Sequence, residues 1–252
     1  MNAPEIPESH PRYESLLTRH RIEAGVDLGI TSRQGLIAQG RGEAFDYLLG
    51  ERTIPSADES ARAAAAHLLL ANHPVLSVNG NVAALAPDET VRLAEATGAD
   101  IEINLFNRAQ DRITRIGEHL REHGAENVKG STADGRIPGL EGARAKVDAD
   151  GIASADVVLV PLEDGDRAAA LAKMGKTELV IDLNPMSRSA RSATVPIVDN
   201  LLRALPNVTA HAEALADADR ETLAGIVESF DAETALAAAE DRIRNGERLA
   251  NV

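Results

Sequence analysis

Three stretches of the sequence gather side chains that handle charge. Residues 181–191, IDLNPMSRSAR, put Asp182 near the end of an apolar run, then Asn184-Pro185, then Ser187, Arg188, Ser189 and Arg191. An acidic residue at a strand end accepts hydrogen bonds from ribose hydroxyls in dinucleotide folds. The hydroxyls and forked guanidiniums that follow suit phosphate oxygens. The alternative is a surface loop in which Asp or Ser caps a helix. Residues 40–43, GRGE, set Arg41 between glycines, as in a loop whose backbone N–H groups approach an anion. A flexible turn with a solvated arginine is the plainer reading, and Phe45 spoils any match to GxGxxG. Residues 161–167, PLEDGDR, cluster Glu163, Asp164 and Asp166, which suits Mg²⁺, a substrate ammonium or a helix cap.

A fourth stretch, PVLSVNGNVAAL at 74–85 in HPVLSVNGNVAAL, follows an apolar strand with Asn79-Gly80-Asn81. Asn-Gly marks hairpin turns, but a helical pattern comes next, so the loop is expected at the carboxyl edge of a sheet. There Gly80 permits a positive φ or close backbone approach. Asn79, Gly80 and Asn81 are therefore candidates to face a substrate, against the alternative that an amide caps the following helix. No GxxxxGK[ST], HExxH or GxSxG occurs.

The elements that would position these groups follow from the hydrophobic pattern. Short apolar runs at 75–79, 101–106, 126–130, 156–161, 178–183 and 195–200 alternate with helical segments. In one of these, Ile113, Ile116 and Leu120 recur at helical spacing. Such alternation implies βαβ units, and ligands of the resulting sheet collect beyond the strands' carboxyl ends. The expectation is an α/β fold with a Rossmann-like, mainly parallel sheet flanked by helices. An N-terminal helical segment precedes it, with Pro11 opening a helix over 10–28. A capping box at Ser56 and Glu59 starts an alanine-rich helix reaching Ala71. Residues 1–210 form one ligand-binding domain. Residues 211–252 read as an acidic helical appendage with ten acidic and four basic residues, docked through Leu223, Ile226, Val227 and Phe230.

Composition narrows the classes. The chain has 252 residues, no cysteine and a formal net charge of −14, with four lysines against 22 arginines. That excludes a thiolate metal site, a cysteine nucleophile and a general nucleic-acid surface. No apolar run suggests a membrane span, and the N-terminus lacks signal-peptide character, so a soluble cytoplasmic protein is expected. An acid-rich, lysine-poor, aromatic-poor chain fits a protein kept soluble in concentrated salt, where its self-repulsion is screened.

Several longer segments resemble one family: HPRYESLLTRHRI, QGLIAQGRGEAFDYLLGE, HPVLSVNGNVAAL, EINLFNR, ADVVLVPLEDGDRAAAL and IDLNPMSRSARSATVPIVDN. They are similar to the archaeal phosphopantothenate synthetases, or 4-phosphopantoate–β-alanine ligases, from about His10 to Pro206. The resemblance implies a homodimeric ligase of coenzyme A biosynthesis in a salt-loving archaeon. It implies that ATP, 4-phosphopantoate and β-alanine become 4′-phosphopantothenate, AMP and pyrophosphate through an acyl adenylate, with Mg²⁺. It places Arg19, Arg41, Asp182, Leu183, Asn184, Arg188, Ser189, Asn200 and Leu201 on the nucleotide, with Arg19, Arg41 and Arg188 as catalytic clamps. Asn79–Asn81, Asp164 and Asp166 are left as substrate candidates, with no metal ligand assigned. A nicotinamide-dependent dehydrogenase and a nucleotide-sensing module are the alternatives on the same fold.

Overall fold

The structure is a computed structural model, and it describes residues 6–7, 9–10, 12–162 and 165–246. Pro11, Glu163 and Asp164, each given a role above, lie outside the described residues.

The chain opens with helices α1 (Tyr13–Asp27), α2 (Arg33–Leu49) and α3 (Pro55–Leu70). It then alternates: β1 (Pro74–Val78), α4 (Gly80–Leu85), α5 (Pro87–Thr97), β2 (Asp100–Ile103), α6 (Gln110–Glu122) and β3 (Val128–Lys129). A small antiparallel pair follows, β4 (Gly135–Arg136) with β5 (Lys146–Val147). Alternation resumes with β6 (Val157–Pro161), α7 (Gly165–Lys173), β7 (Thr177–Ile181), α8 (Arg188–Ser192) and β8 (Val195–Ile197). Helices α9 (Leu201–Ala214), α10 (Arg220–Ser229) and α11 (Ala232–Asn245) complete it.

The six-stranded sheet has the order β3-β2-β1-β6-β7-β8, and every pairing in it is parallel. Strands β1, β6 and β7 are runs of Val, Leu and Ile, almost wholly buried, as expected when both faces are covered. With the small pair set aside, the order is that of a doubly wound nucleotide-binding sheet, and its direction reverses between β1 and β6. The crossover from β3 to β6 carries no α-helix. An excursion over 130–152 covers that face instead, burying Ile137, Leu140, Val147 and Ile152 against Val75, Val158 and Leu171.

Several local expectations are corrected. Residues 40–43 are not a glycine loop. They sit inside α2, so their backbone N–H groups serve the helix rather than an anion. The capping box is absent: α3 starts at Pro55 with Ile54 as its cap residue, and no side chain caps it. Proline at a first helical position needs no partner for its missing N–H. The runs at 101–106 and 126–130 yield only four and two strand residues.

The boundary drawn after residue 210 falls inside α9. Beyond it, Leu223 and Ile226 of α10 are buried against Ala66, while Ala239 of α11 is buried with Leu49, Leu183 and Val198. Val227 and Phe230 are partly buried at the edges of the same packing.

Candidate active site

Loops after β1, β2, β6, β7 and β8 all reach the same edge, and α2 walls off the opening. Together they enclose a cleft of ≈ 550 Å³, in the range of small-molecule sites. It sits over the reversal point of the sheet.

The β7–α8 loop is built by side chains that fold back on it. Asp182 accepts hydrogen bonds from Asn184 N at 3.0 Å and Ser187 Oγ at 2.5 Å. Ser187 in turn caps α8 by accepting from Ala190 N at 3.0 Å. Burial pushes the Asp182 carboxyl above its usual range, and the nearby Arg41 charge opposes that rise. Leu183, Asn184, Arg188 and Ser189 line the same wall. After β8, Asn200 caps α9 through Leu202 N at 3.1 Å and donates to Asp46 Oδ2 of α2 at 2.7 Å. Leu201 lines the cleft beside it.

Arg41 joins the cleft from the helical stripe Gln34, Ala38, Arg41 and Phe45. Arg19 does not line it. The Arg19 guanidinium lies on Glu43 with Nε–Oε2 at 3.0 Å and Nη2–Oε1 at 2.5 Å, which holds the Glu43 carboxyl below its usual range. Asp166 also stays off the lining. It pairs with Arg188 Nη1 at 2.9 Å and Arg144 Nη2 at 3.5 Å.

The Asn79–Asn81 loop does line the cleft, yet its amides are engaged within the protein. Asn79 Oδ1 accepts from Asn81 N and Val82 N, capping α4, and its Nδ2 donates to Pro161 O of β6 at 3.1 Å. Asn81 Nδ2 donates to Gly35 O at 3.0 Å, and its Oδ1 accepts from Thr31 Oγ1. Gly80 lines the cleft as well and is packed on backbone, since a Cβ there would stand 2.5 Å from the Ile30 carbonyl oxygen.

Sequence reasoning missed three arginines that the fold brings in: Arg112 of α6, Arg144 of the excursion and Arg167 of α7. Arg167 is buried and donates to Ser77 Oγ of β1 at 3.0 Å. Arg144 stacks over Phe106, with Cζ 4.9 Å from the ring centre. Arg112 donates to Asn107 O at 2.9 Å, its Nε is buried without a hydrogen-bond partner among the described residues, and burial lowers its pKa. Among the described residues, five arginines thus line the cleft with Asp182 as the carboxylate.

A phosphopantothenate/pantothenate synthetase family model matches residues 56–246. The chain belongs to this family. It is 56% identical to the 4-phosphopantoate–β-alanine ligase of Thermococcus onnurineus, over 90% of this chain and 87% of the relative. It is 53% identical to the enzyme of that name from Methanosarcina mazei, over 95% and 94%. For the one from Methanospirillum hungatei the figures are 49%, 98% and 99%. The family match therefore runs through the acidic C-terminal helices to residue 246, past the Pro206 limit drawn from the motifs.

Proposed function

We propose that the protein is the ATP-dependent ligase that condenses 4-phosphopantoate with β-alanine, giving 4′-phosphopantothenate, AMP and pyrophosphate. The observation that carries this reading is the cleft's charge. In a chain of net charge −14, five guanidiniums converge where the sheet reverses, with Asp182 the one carboxylate among the described lining residues. Two phosphorylated reactants call for such a focus of positive charge.

The cleft divides by the strands that serve it. On the β7–β8 side, Arg41, Asp182, Leu183, Asn184, Arg188, Ser189, Asn200 and Leu201 form the nucleotide seat. Arg41 and Arg188 clamp phosphate oxygens, and Arg19 would join them by leaving Glu43. On the β1–β2 side, Arg112, Arg144 and Arg167 receive the phosphate and carboxylate of phosphopantoate. The Asn79–Asn81 loop separates the two seats, and Asp166 holds Arg144 and Arg188 across the rim. The pantoate carboxylate attacks the α-phosphorus and pyrophosphate leaves. The β-alanine amine then attacks the acyl carbon and AMP leaves. The chain supplies no covalent nucleophile; it holds the reactants in line and offsets their charge.

Magnesium fits as a companion of the triphosphate, held mainly by phosphate oxygens, with Asp182 as the carboxylate the described wall offers. When bound, it would neutralise charge on the departing pyrophosphate. Among the described residues no cluster of three acidic or histidine side chains suggests a separate metal site, and no helix is long and apolar enough to cross a membrane.

A homodimer is supported by α2, whose side away from the cleft leaves Ile37, Tyr47 and Leu48 exposed. Function in concentrated salt is supported by composition alone. The test of the main reading is pyrophosphate release from ATP that requires 4-phosphopantoate, with unphosphorylated pantoate a poor substitute. ATP binding without turnover, or nicotinamide reduction, would favour the sensor or dehydrogenase, for which the comparisons give no support.

A further inference from the structure

We propose that Glu102 is a positioning residue for Arg144: as a carboxylate, and only as a carboxylate, it clasps the 130–152 excursion in the place that brings Arg144 into the cleft. The inference rests on the ligase reading for its kinetic readout.

Glu102 lies on β2 with no exposure to solvent. Each of its oxygens accepts one backbone N–H from the excursion, Oε1 from Asp148 N at 3.0 Å and Oε2 from Ile152 N at 2.5 Å. Two residues on, just past the end of β2, Asn104 Nδ2 donates to Arg144 O at 3.2 Å and Lys146 O at 3.1 Å. The strand and the residue after it therefore grip the excursion at four points from Arg144 to Ile152. Asp148 extends the grip, accepting from Gly130 N at 2.7 Å and Ala133 N at 2.5 Å. Gly151 is held so close to Glu102 that a Cβ there would collide with Oε2.

The charged groups around Glu102 are few. Asp148 of the excursion repels its charge, and Arg167 of α7 attracts it. On β1 its register partner is Ser77, which accepts from Arg167. On β3 its register partner is Lys129, whose Nζ is turned to Asp150 at 2.6 Å and Asp100 at 3.6 Å.

In a neutral carboxyl one oxygen becomes a hydroxyl, a donor and a much weaker acceptor, so it holds only one of the two N–H groups as firmly as the carboxylate does. Protonation of Glu102 therefore releases one end of the clasp. Burial pushes this group up to about 7, against its two N–H bonds. The release falls in the range where cells work. Its sign separates it from unfolding. A carboxyl whose folded pKa lies above its unfolded value adds stability below the unfolded value and loses it as pH rises through the folded one. Through Glu102, acidification from pH 8 to 6 stabilises the fold while it loosens the clasp.

The test compares wild type with E102Q, whose amide mimics the neutral acid. At pH 8 the variant's KM for 4-phosphopantoate is expected to be about tenfold higher, the size of one lost charge-assisted contact. At pH 6 the ratio should approach one, and the substrate's own ionisation cancels in that ratio. A ratio near one at both pH values, or an equal elevation at both, overturns the proposal. Amide exchange of 130–152 without ligand tests the clasp independently. Corrected for intrinsic rates, protection in wild type should fall between pH 8 and 6, and it overturns the proposal if it does not. This second arm needs neither a folded variant nor the ligase reading. Wild type that fails to release pyrophosphate with 4-phosphopantoate would sink that reading alone.

Discussion

Arg203 offers the sharpest test of how the β7–β8 side of the cleft is held to α2. Its guanidinium reaches Asp46 Oδ1 of α2 at 2.5 Å and Asp199 Oδ1 at 2.7 and 2.9 Å. The side chains of Asp46 and Asp199 are only 8% and 2% exposed. Asp199 also takes Thr53 Oγ1 at 2.6 Å and Asn200 N at 2.7 Å. Replacing Arg203 with leucine leaves both carboxylates buried without their cation. Breaking a buried pair in this way costs about 3–5 kcal/mol. For a chain of this size each kcal/mol moves the melting midpoint by roughly 2–4 °C, so a fall of about 6–20 °C is expected. Burial already raises the Asp199 carboxyl with Arg203 present, and loss of the cation raises it further. The variant's deficit should then be largest at neutral pH and shrink on acidification, as the stranded Asp199 takes a proton. Adding Asp46→Asn should recover part of the loss. Urea denaturation at several pH values in concentrated KCl measures all of this. A deficit below about 1 kcal/mol, the level of a surface pair, or one indifferent to pH, would refute the reasoning.

Other outcomes follow from single contacts. Gly80→Ala should cost about 1–3 kcal/mol by driving a methyl into the Ile30 carbonyl, and an unchanged midpoint would deny that approach. Arg188→Ala should raise KM for ATP by about ten- to a hundredfold, and Arg112→Ala should do so for 4-phosphopantoate; steady-state kinetics would contradict the two-seat division if either arginine moved the other substrate instead. On the proposed homodimer, wild type should sediment as a dimer and Ile37→Asp as a monomer, since the change puts a charge at an exposed apolar position of α2; a monomeric wild type would count against that proposal. Rising KCl should raise the melting midpoint by screening the net charge of −14, and a falling midpoint would count against adaptation to salt.

The sheet was readable because its strands are dense runs of branched apolar residues between helical periods, as at Val157–Pro161 and Thr177–Ile181. The loops carrying Asn79 and Asp182 then followed from their position at the ends of such runs, whereas Asn200 came only from the family resemblance. The reading failed where tertiary packing overrode local preference. Gly40 and Gly42 argue for a loop, yet α2 continues through them, with Gly42 close against Leu183. Nor does sequence spacing unite Arg112, Arg144 and Arg167. One sits on an amphipathic helix, one in an excursion without periodicity, and one in PLEDGDR, where the neighbouring acids drew the attention. Only the parallel order of the strands makes them neighbours of one cleft. That an amide of the Asn79–Asn81 loop caps the following helix was one of the two readings the sequence allowed, and Asn79 does so; the bonds to Pro161, Gly35 and Thr31 were not legible, because those partners are remote in sequence.

One side chain works as a rivet between the two halves of the molecule. Asn79 receives from the first turn of α4 with its oxygen and gives its nitrogen to the last residue of β6. An aspartate there would keep the first bond and lose the second, having no hydrogen to give. If the two reactants take the proposed seats, this amide helps to set the gap between the pantoyl carboxylate and the nucleotide's α-phosphorus before either arrives.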